Sequence, residues 1–250
     1  MELTLFSKCV FEFIGTMVLV LLGDGVCAAC SLKGTKAHGA GWIVITLAWG
    51  FAVMAGVLIA GPYSGAHLNP AVSLGLALAG SFPWSDVIPY VIAQMLGGVL
   101  GGILVYAFYV DHFAATCDEP DTMLGVFCTA PAIRHTTVNF FSEFIATFLL
   151  VFLILAIGTS GNTPMAAGAP AGLGAVGAFP VTAVIMSLGM SLGATTGYAM
   201  NPARDLSPRI AHAILPIKGK RDSDWGYSWV PVLGPLAGAC LAAALYIIVY

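Results

Sequence analysis

The residues best suited to chemistry in this chain form the tripeptide Asn-Pro-Ala, which occurs at Asn69-Pro70-Ala71 and again at Asn201-Pro202-Ala203. Asparagine is a favoured helix N-cap, because its side-chain oxygen accepts from the free backbone N–H groups of the first turn. Proline suits the next position, where its missing N–H leaves no bond unmade. Each copy therefore predicts a helix start, with an amide donor and the positive end of the helix dipole at one point.

The sequence around the two tripeptides is also repeated. Residues 64–71 align with residues 196–203 at an offset of 132, and the segments around Glu12 and Glu143 align at an offset of 131. Self-similarity of this kind indicates two tandem copies of one unit. We expect a single domain made of copies at approximately 1–110 and 139–250, joined by a loop at approximately 111–138.

The composition places the chain in a membrane. Of its 250 residues, 59% are hydrophobic and 8% are charged, whereas about 25% of residues are charged in soluble proteins. About 20 apolar residues cross the hydrocarbon core, and we predict six such spans, at 6–29, 41–60, 87–109, 140–158, 171–192 and 228–250. The prediction is an all-α integral membrane protein that is not an enzyme, with no metal, cofactor or nucleic acid as a partner.

Each copy contains three spans, so the second copy must begin on the opposite face of the membrane and the repeats are inverted. Each copy also has a shorter apolar stretch, at 69–79 or 201–213, of about half a membrane span. These half-helices are expected to enter from opposite faces and meet near the midplane. The irregular backbone before each one needs shelter at that depth, and Glu12 and Glu143 are the expected acceptors for its unpaired N–H groups.

Paired Asn-Pro-Ala motifs in inverted halves, with equivalent glutamates in the first and fourth spans, resemble the aquaporin and glycerol facilitator family of membrane channels. The resemblance covers essentially the whole chain. It implies six tilted helices plus two half-helices, and a homotetramer in which every subunit has its own pore. It also implies a multi-pass protein of the plasma membrane with both termini in the cytoplasm, although the basic residues of the loops run against the positive-inside rule.

The resemblance assigns four residues to the selectivity filter, the narrowest point of the pore: Trp49, Gly189, Tyr198 and Arg204. Water-selective members have a histidine where this chain has Gly189, and an aspartate in the place of Asp205 is typical of the glycerol-conducting branch. Removing a side chain at Gly189 widens the filter and leaves room for an aromatic ring at Tyr198. Glycerol facilitators commonly have phenylalanine there, so the tyrosine hydroxyl is a departure that puts a strict preference for glycerol in doubt.

The expected function is a passive channel for glycerol and other small neutral solutes, with some water. Arg204 would repel cations, and the two asparagine amides would orient a passing solute so that a proton-conducting chain of waters is broken. The alternatives are a water-selective channel, a secondary active transporter built on the same inverted plan, and a junction protein that barely conducts. The alternative role for Arg204 is a purely structural salt bridge with Asp205 or Asp24.

Four further residues lie outside the filter and the tripeptides. His67 and Asp205 are assigned to the support of the loops, and His67 is interpreted either as a pH sensor or as a hydrogen-bonded structural residue. Cys117 and Cys128 share a loop, which leaves a disulfide open.

Overall fold

The computed structural model describes residues 3–159 and 174–250. Over these residues the chain is helical and has no β-strand. In chain order the helices are α1 (Leu5–Ser31), α2 (Trp42–Ser64), α3 (Pro70–Leu78), α4 (Trp84–Phe108), α5 (Val110–Ala115), α6 (Pro120–Phe127), α7 (Thr136–Gly158), α8 (Phe179–Leu192), α9 (Pro202–Ile214) and α10 (Val230–Val249).

Six helices in the described part of the chain are long and apolar enough to cross a membrane. They are α1, α2, α4, α7, α10 and a segment at Val176–Thr195 that contains α8. The all-α membrane fold is therefore confirmed. The expected fifth span began at 171, but residues 171–173 lie outside the described residues, and a 3₁₀ turn at Gly174–Ala178 precedes α8. Pro180 in the first turn of α8 is consistent with an α-helix that starts there.

The half-helices α3 and α9 start where the two tripeptides predict. The Oδ1 atom of Asn69 accepts from the backbone N–H of Ala71 at 2.8 Å, and that of Asn201 accepts from the N–H of Ala203 at 2.9 Å. The two helices have 9 and 13 residues, so neither spans a bilayer alone.

The helix contacts follow the repeat. Helix α1 packs against α2 and α4, and its counterpart α7 packs against α8 and α10. Each half-helix packs against the third span of the other copy, α3 against α10 and α9 against α4. This exchange interlocks the two halves and brings both half-helices to the centre of the bundle.

Glycines of α4 permit its close packing on two neighbours. A Cβ atom at Gly97 would lie 2.2 Å from the carbonyl oxygen of Phe13 in α1, and one at Gly98 would lie 2.7 Å from the Cβ of Ser207 in α9. The first of these contacts is with backbone, which yields little. Gly97 thus permits close packing of α4 on α1, and Gly98 permits close packing of α4 on the half-helix α9.

The segment expected to join the copies is more ordered than a simple loop, since it contains α5 and α6. Helix α6 packs against α1 and α9, and Met123 and Phe127 are fully buried. Cys117 and Cys128 in this segment are free thiols.

Candidate pore and its constriction

The loops that precede α3 and α9 share one unusual backbone conformation. Positive φ angles of 85°, 50° and 52° occur at Gly65, Ala66 and Leu68, and matching angles of 85°, 41° and 49° occur at Gly197, Tyr198 and Met200. Residues other than glycine rarely adopt this conformation, and it persists only where the surroundings hold it. The repeated strain indicates that both loops are fixed by specific partners.

Glu12 is the partner of the first loop. Its Oε1 accepts from the backbone N–H of His67 at 2.9 Å and from the hydroxyl of Ser64 at 2.6 Å. Its Oε2 accepts from the N–H of Leu68 at 2.7 Å and from the amide of Gln94 at 2.8 Å. The carboxylate is fully buried, and these four bonds account for its burial.

Glu143 holds the second loop in the same way. Its Oε1 accepts from the N–H of Ala199 at 3.0 Å and from the hydroxyl of Thr196 at 2.6 Å, and its Oε2 accepts from the N–H of Met200 at 2.9 Å. The hydrogen bonds expected of both glutamates are therefore present.

The two asparagine side chains join the loops to each other. The Nδ2 of Asn69 donates to the carbonyl oxygen of Met200 at 2.8 Å, and the Nδ2 of Asn201 donates to that of Leu68 at 2.8 Å. An amide nitrogen carries two hydrogens, so one N–H of each asparagine is left for another acceptor. Both asparagines line the central cavity.

Two neighbouring cavities lie between the half-helices and the chain that follows α6. The central one has a volume of about 150 Å³ and is lined by both asparagines and both loops, and the second, of about 240 Å³, lies under the chain that follows α6. Trp49, Tyr198 and Arg204 line both cavities. We call these three residues the constriction, because they line both cavities and so lie at the boundary between them.

The constriction combines a ring face with unpaired polar atoms. The guanidinium carbon of Arg204 lies 3.9 Å from the ring centroid of Trp49, a distance typical of cation–π contacts. Within the described residues, Nη1 of Arg204, the hydroxyl of Tyr198 and Nε1 of Trp49 have no hydrogen-bond partner. Unpaired polar groups buried in this way are rare, and here they belong to three side chains that line both cavities.

Gly189 lies behind the constriction and does not line either cavity. A Cβ atom there would lie 2.9 Å from Cε2 and Cζ of Tyr198 and 3.0 Å from Cγ2 of Thr46. The glycine thus provides the space that the tyrosine ring occupies. Trp42, which the sequence interpretation missed, donates from Nε1 to the carbonyl of Gly189 at 3.0 Å and packs edge-on against Tyr198. No local sequence signal marks that contact.

His67 is one of the residues that line the central cavity. Its Nδ1 is 3.0 Å from the hydroxyl of Ser73, and its ring packs against Phe82 and Tyr90. The structure thus gives His67 the contacts of a hydrogen-bonded residue in an aromatic cluster.

Asp205 accepts hydrogen bonds from the chain that follows α6. Its Oδ2 accepts from the N–H and the hydroxyl of Thr129, at 2.7 and 2.6 Å, and its Oδ1 accepts from Arg209. Asp205 thus anchors the chain after α6. That chain touches the second loop, since a Cβ atom at Gly197 would lie 3.2 Å from the Cβ of Thr129.

Exposed ion pairs tie the segment between the copies to other loops. The ammonium of Lys33 lies 2.7 Å from Asp118 and 2.8 Å from Glu119, and Arg221 pairs with Asp121. Hydrogen bonds from Lys33 hold the pKa of both neighbouring carboxyl groups below its ordinary value.

Six spanning helices, two half-helices that meet end to end and a cavity beside their junction define a membrane channel of the aquaporin fold. The comparisons with known proteins agree. The model of the Major intrinsic protein family matches residues 1–246. The chain belongs to this family.

Two relatives and one solved structure are similar over almost the whole chain. The chain is 51% identical over 239 residues to a probable glycerol uptake facilitator protein of Thermotoga maritima, covering 94% of this chain and 96% of that protein. It is 53% identical over 239 residues to glycerol uptake facilitator protein 3 of Lactiplantibacillus plantarum, covering 94% and 93%. The X-ray structure of the aquaglyceroporin from Plasmodium falciparum matches with a TM-score of 0.83 at 30% identity, covering 98% of this chain and 97% of that one.

Proposed function

We propose that this protein is a passive channel through which glycerol and other small neutral solutes, with some water, diffuse across the plasma membrane. The constriction is the observation that carries the proposal. It combines the rings of Trp49 and Tyr198 with the guanidinium of Arg204, and all three side chains line both cavities. The names of the two relatives, both glycerol uptake facilitators, support the same solute class.

A linear polyol matches this arrangement. Its carbon edge packs on the aromatic rings, while its hydroxyl oxygens accept from the guanidinium, which offers several donors in a fixed plane. Its hydroxyl hydrogens donate to backbone carbonyl groups of the loop 193–200. Each hydrogen bond with water that the solute loses is replaced, so entry is favoured over that of an apolar molecule of the same size.

Exclusion of ions follows from the charges around the corridor. Arg204 repels cations at the constriction. The positive ends of α3 and α9 add to this barrier at the centre. A water molecule there accepts from the free N–H groups of Asn69 and Asn201, so its own hydrogens point away from the centre. This orientation interrupts a hydrogen-bonded chain that would otherwise carry protons.

Two alternatives have less support. A water-selective channel fits poorly because Gly189 leaves the constriction without the side chain that would narrow it. A secondary active transporter would need a site for a coupling ion near the half-helix tips. Glu12 and Glu143 are the carboxylates nearest the loops, and their oxygens are occupied by loop and side-chain donors.

The function is tested with the purified protein in proteoliposomes, by stopped-flow light scattering after an osmotic step with glycerol or with an impermeant solute. We expect glycerol and water permeabilities above those of protein-free vesicles, with and without a proton or sodium gradient. A glycerol rate that requires an ion gradient would exclude a passive channel. Water flux without glycerol flux would identify a water channel, and background rates for both would identify a junction protein.

We further propose that four subunits assemble, each with its own pore, and that both termini face the cytoplasm. Large apolar side chains such as Phe6, Phe108 and Ile248 are exposed on the outside of the bundle, a surface suited to lipid or to neighbouring subunits. Mass measurement in detergent tests the tetramer. The orientation is tested in a variant whose six native cysteines are replaced by serine and which has one cysteine added after Tyr250. Labelling of that cysteine by an impermeant maleimide on intact cells would exclude a cytoplasmic C-terminus.

A further inference from the structure

Asp24 is a buried acid that the pore described so far does not use. It lies within α1, it is fully buried, and neither of its carboxylate oxygens has a hydrogen-bond partner within the described residues. A carboxylate in such a place is costly unless a cation compensates it. The cation that faces it is Arg204, whose Nη1 lies 3.5 Å from Oδ1 of Asp24.

The other charges near this pair are already committed to each other. Arg209 lies 2.8 Å from Asp205, and its remaining N–H groups donate to backbone carbonyls of Ser223, Asp224 and Thr129. Asp205 and Arg209 therefore form a neutral pair. Asp24 is left as the carboxylate that balances Arg204.

The repeat provides an internal comparison for this pair. At the repeat offsets, Asp24 corresponds to Leu155 and Arg204 corresponds to Val72. Leu155 and Val72 are buried members of one apolar cluster. The same two places are thus occupied by apolar side chains in one half of the molecule and by opposite charges in the half that forms the constriction.

We propose that Asp24 is the counter-ion of Arg204, which holds the guanidinium in the constriction and offsets part of its charge, so that the remaining positive field still repels cations but is too weak to retain a small anion. The guanidinium lies between the ring of Trp49 and this carboxylate. A separation of 3.5 Å is too long for a strong hydrogen bond, so the carboxylate acts on the guanidinium mainly through its charge. The adjacent Gly23 leaves the space that the Trp49 ring occupies, because a Cβ atom there would lie 2.2 Å from that ring.

The proposal rests on the channel function proposed above and makes a separate prediction about charge. Without the carboxylate, the constriction would carry an uncompensated positive charge and would bind a small anion that blocks it. Asp24→Asn keeps the shape and removes the charge, and Asp24→Glu keeps the charge. Thr16→Val is the matched control, because Thr16 is also fully buried in α1 with an unpaired hydroxyl and lies two turns away.

The experiment measures glycerol and water permeability of proteoliposomes with sodium thiocyanate on both sides of the membrane. Sodium gluconate at the same concentration controls for ionic strength, since gluconate is too large to enter the constriction. We expect thiocyanate to inhibit Asp24→Asn at a concentration lower by roughly tenfold or more than for the unchanged protein. Asp24→Glu and Thr16→Val are expected to behave as the unchanged protein does.

Equal sensitivity of Asp24→Asn and the unchanged protein to thiocyanate would overturn the proposal. Inhibition that appears equally in Thr16→Val would also overturn it, because the cause would then be loss of packing. If the unchanged protein conducts water but not glycerol, the proposed solute is wrong, and the water rates still test the role of Asp24.

A third variant covers poor insertion of Asp24→Asn. The double variant Asp24→Leu/Arg204→Val reproduces the pair found in the other repeat, and it leaves no buried charge unpaired. We expect it to insert better than Asp24→Asn and to be insensitive to thiocyanate. If Asp24→Asn inserts poorly and the double variant does no better, the two charges do not compensate each other and the proposal fails.

Discussion

Replacing Gly189 with alanine should convert the constriction from a path for glycerol into one that favours water. The added Cβ atom would lie 2.9 Å from Cε2 and Cζ of Tyr198, whereas carbon atoms in contact prefer about 3.5 to 4.0 Å. The ring must therefore yield by about 0.6 to 1.1 Å. The new methyl group cannot move away from the ring, because Cγ2 of Thr46 lies 3.0 Å from the same Cβ position. The ring itself is packed against Trp42. Movement towards the lumen is the direction left open.

The expected loss follows from this overlap. Overpacking by one methyl group costs about 1 to 3 kcal/mol. If glycerol must push the ring back in order to pass, its permeability falls by about 5- to 160-fold. Water is smaller than the polyol and should be reduced by a smaller factor. Gly189→His should act in the same direction and more strongly.

Stopped-flow light scattering of proteoliposomes measures both permeabilities in one preparation. Gly25→Ala is the matched control, because a Cβ atom at Gly25 in α1 meets no atom within 4 Å. The double variant Gly189→Ala/Tyr198→Ala removes the ring atoms that clash and should recover glycerol flux. An equal loss of glycerol and water in Gly189→Ala, or no recovery in the double variant, would refute the assignment of Gly189 as the space for the ring.

Three further outcomes are expected from the contacts around the pore. Glu143→Gln replaces an acceptor oxygen by a donor beside backbone N–H groups, so thermal unfolding in detergent should show a loss of stability of about 1–3 kcal/mol, and the flux of both solutes should fall. Unchanged stability would contradict the role of this carboxylate. Arg209→Met leaves a buried aspartate unpaired and should lower the stability by about 3–5 kcal/mol, whereas Arg134→Met, at an exposed ion pair, should lower it by at most about 1 kcal/mol. Similar losses of stability in the two variants would contradict the importance of the buried pair. Lys33 lowers the pKa of the carboxyl groups at 118–119, so their contribution to stability is present above an ordinary carboxyl pKa of about 4 and is lost as the pH falls through their lowered values. Limited proteolysis of this segment should therefore rise at low pH in the unchanged protein but depend less on pH in Lys33→Met.

The parts of the fold that the sequence predicts are those with local chemical signals that occur twice. Asn69 and Asn201 specify helix starts through their own backbone, so the positions of α3 and α9 follow from a few adjacent residues. Glu12 and Glu143 were found because two copies at one offset single out the same charged residue in otherwise apolar spans. The pairing of each glutamate with its loop then follows from the need to satisfy buried N–H groups.

The parts that the sequence does not predict depend on contacts between distant helices. Asp24 and Arg204 are far apart in the chain, and the sequence offers Asp24 only as one of two alternative partners of Arg204, with Asp205 as the other. The contact of Trp42 with Gly189 depends on how α2 meets α8, which hydropathy does not encode. Helices α5 and α6 are short, with 6 and 8 residues, and a short helix held by tertiary packing leaves little periodic signal.

The repeat also explains why a nearly symmetric scaffold has one constriction. At the offset of 132, Gly189 corresponds to Val57 and Tyr198 corresponds to Ala66, so one copy has the large side chain on the helix and the other has it on the loop. Both loops keep the same backbone, and both are held by a glutamate. In the first copy, Val57 on the helix leaves room only for the methyl group of Ala66 on the loop. In the second copy, Gly189 on the helix leaves room for the ring of Tyr198 on the loop. With Arg204 beside that ring, and Val72 in the matching place of the first copy, the polar narrow point forms in the second half alone.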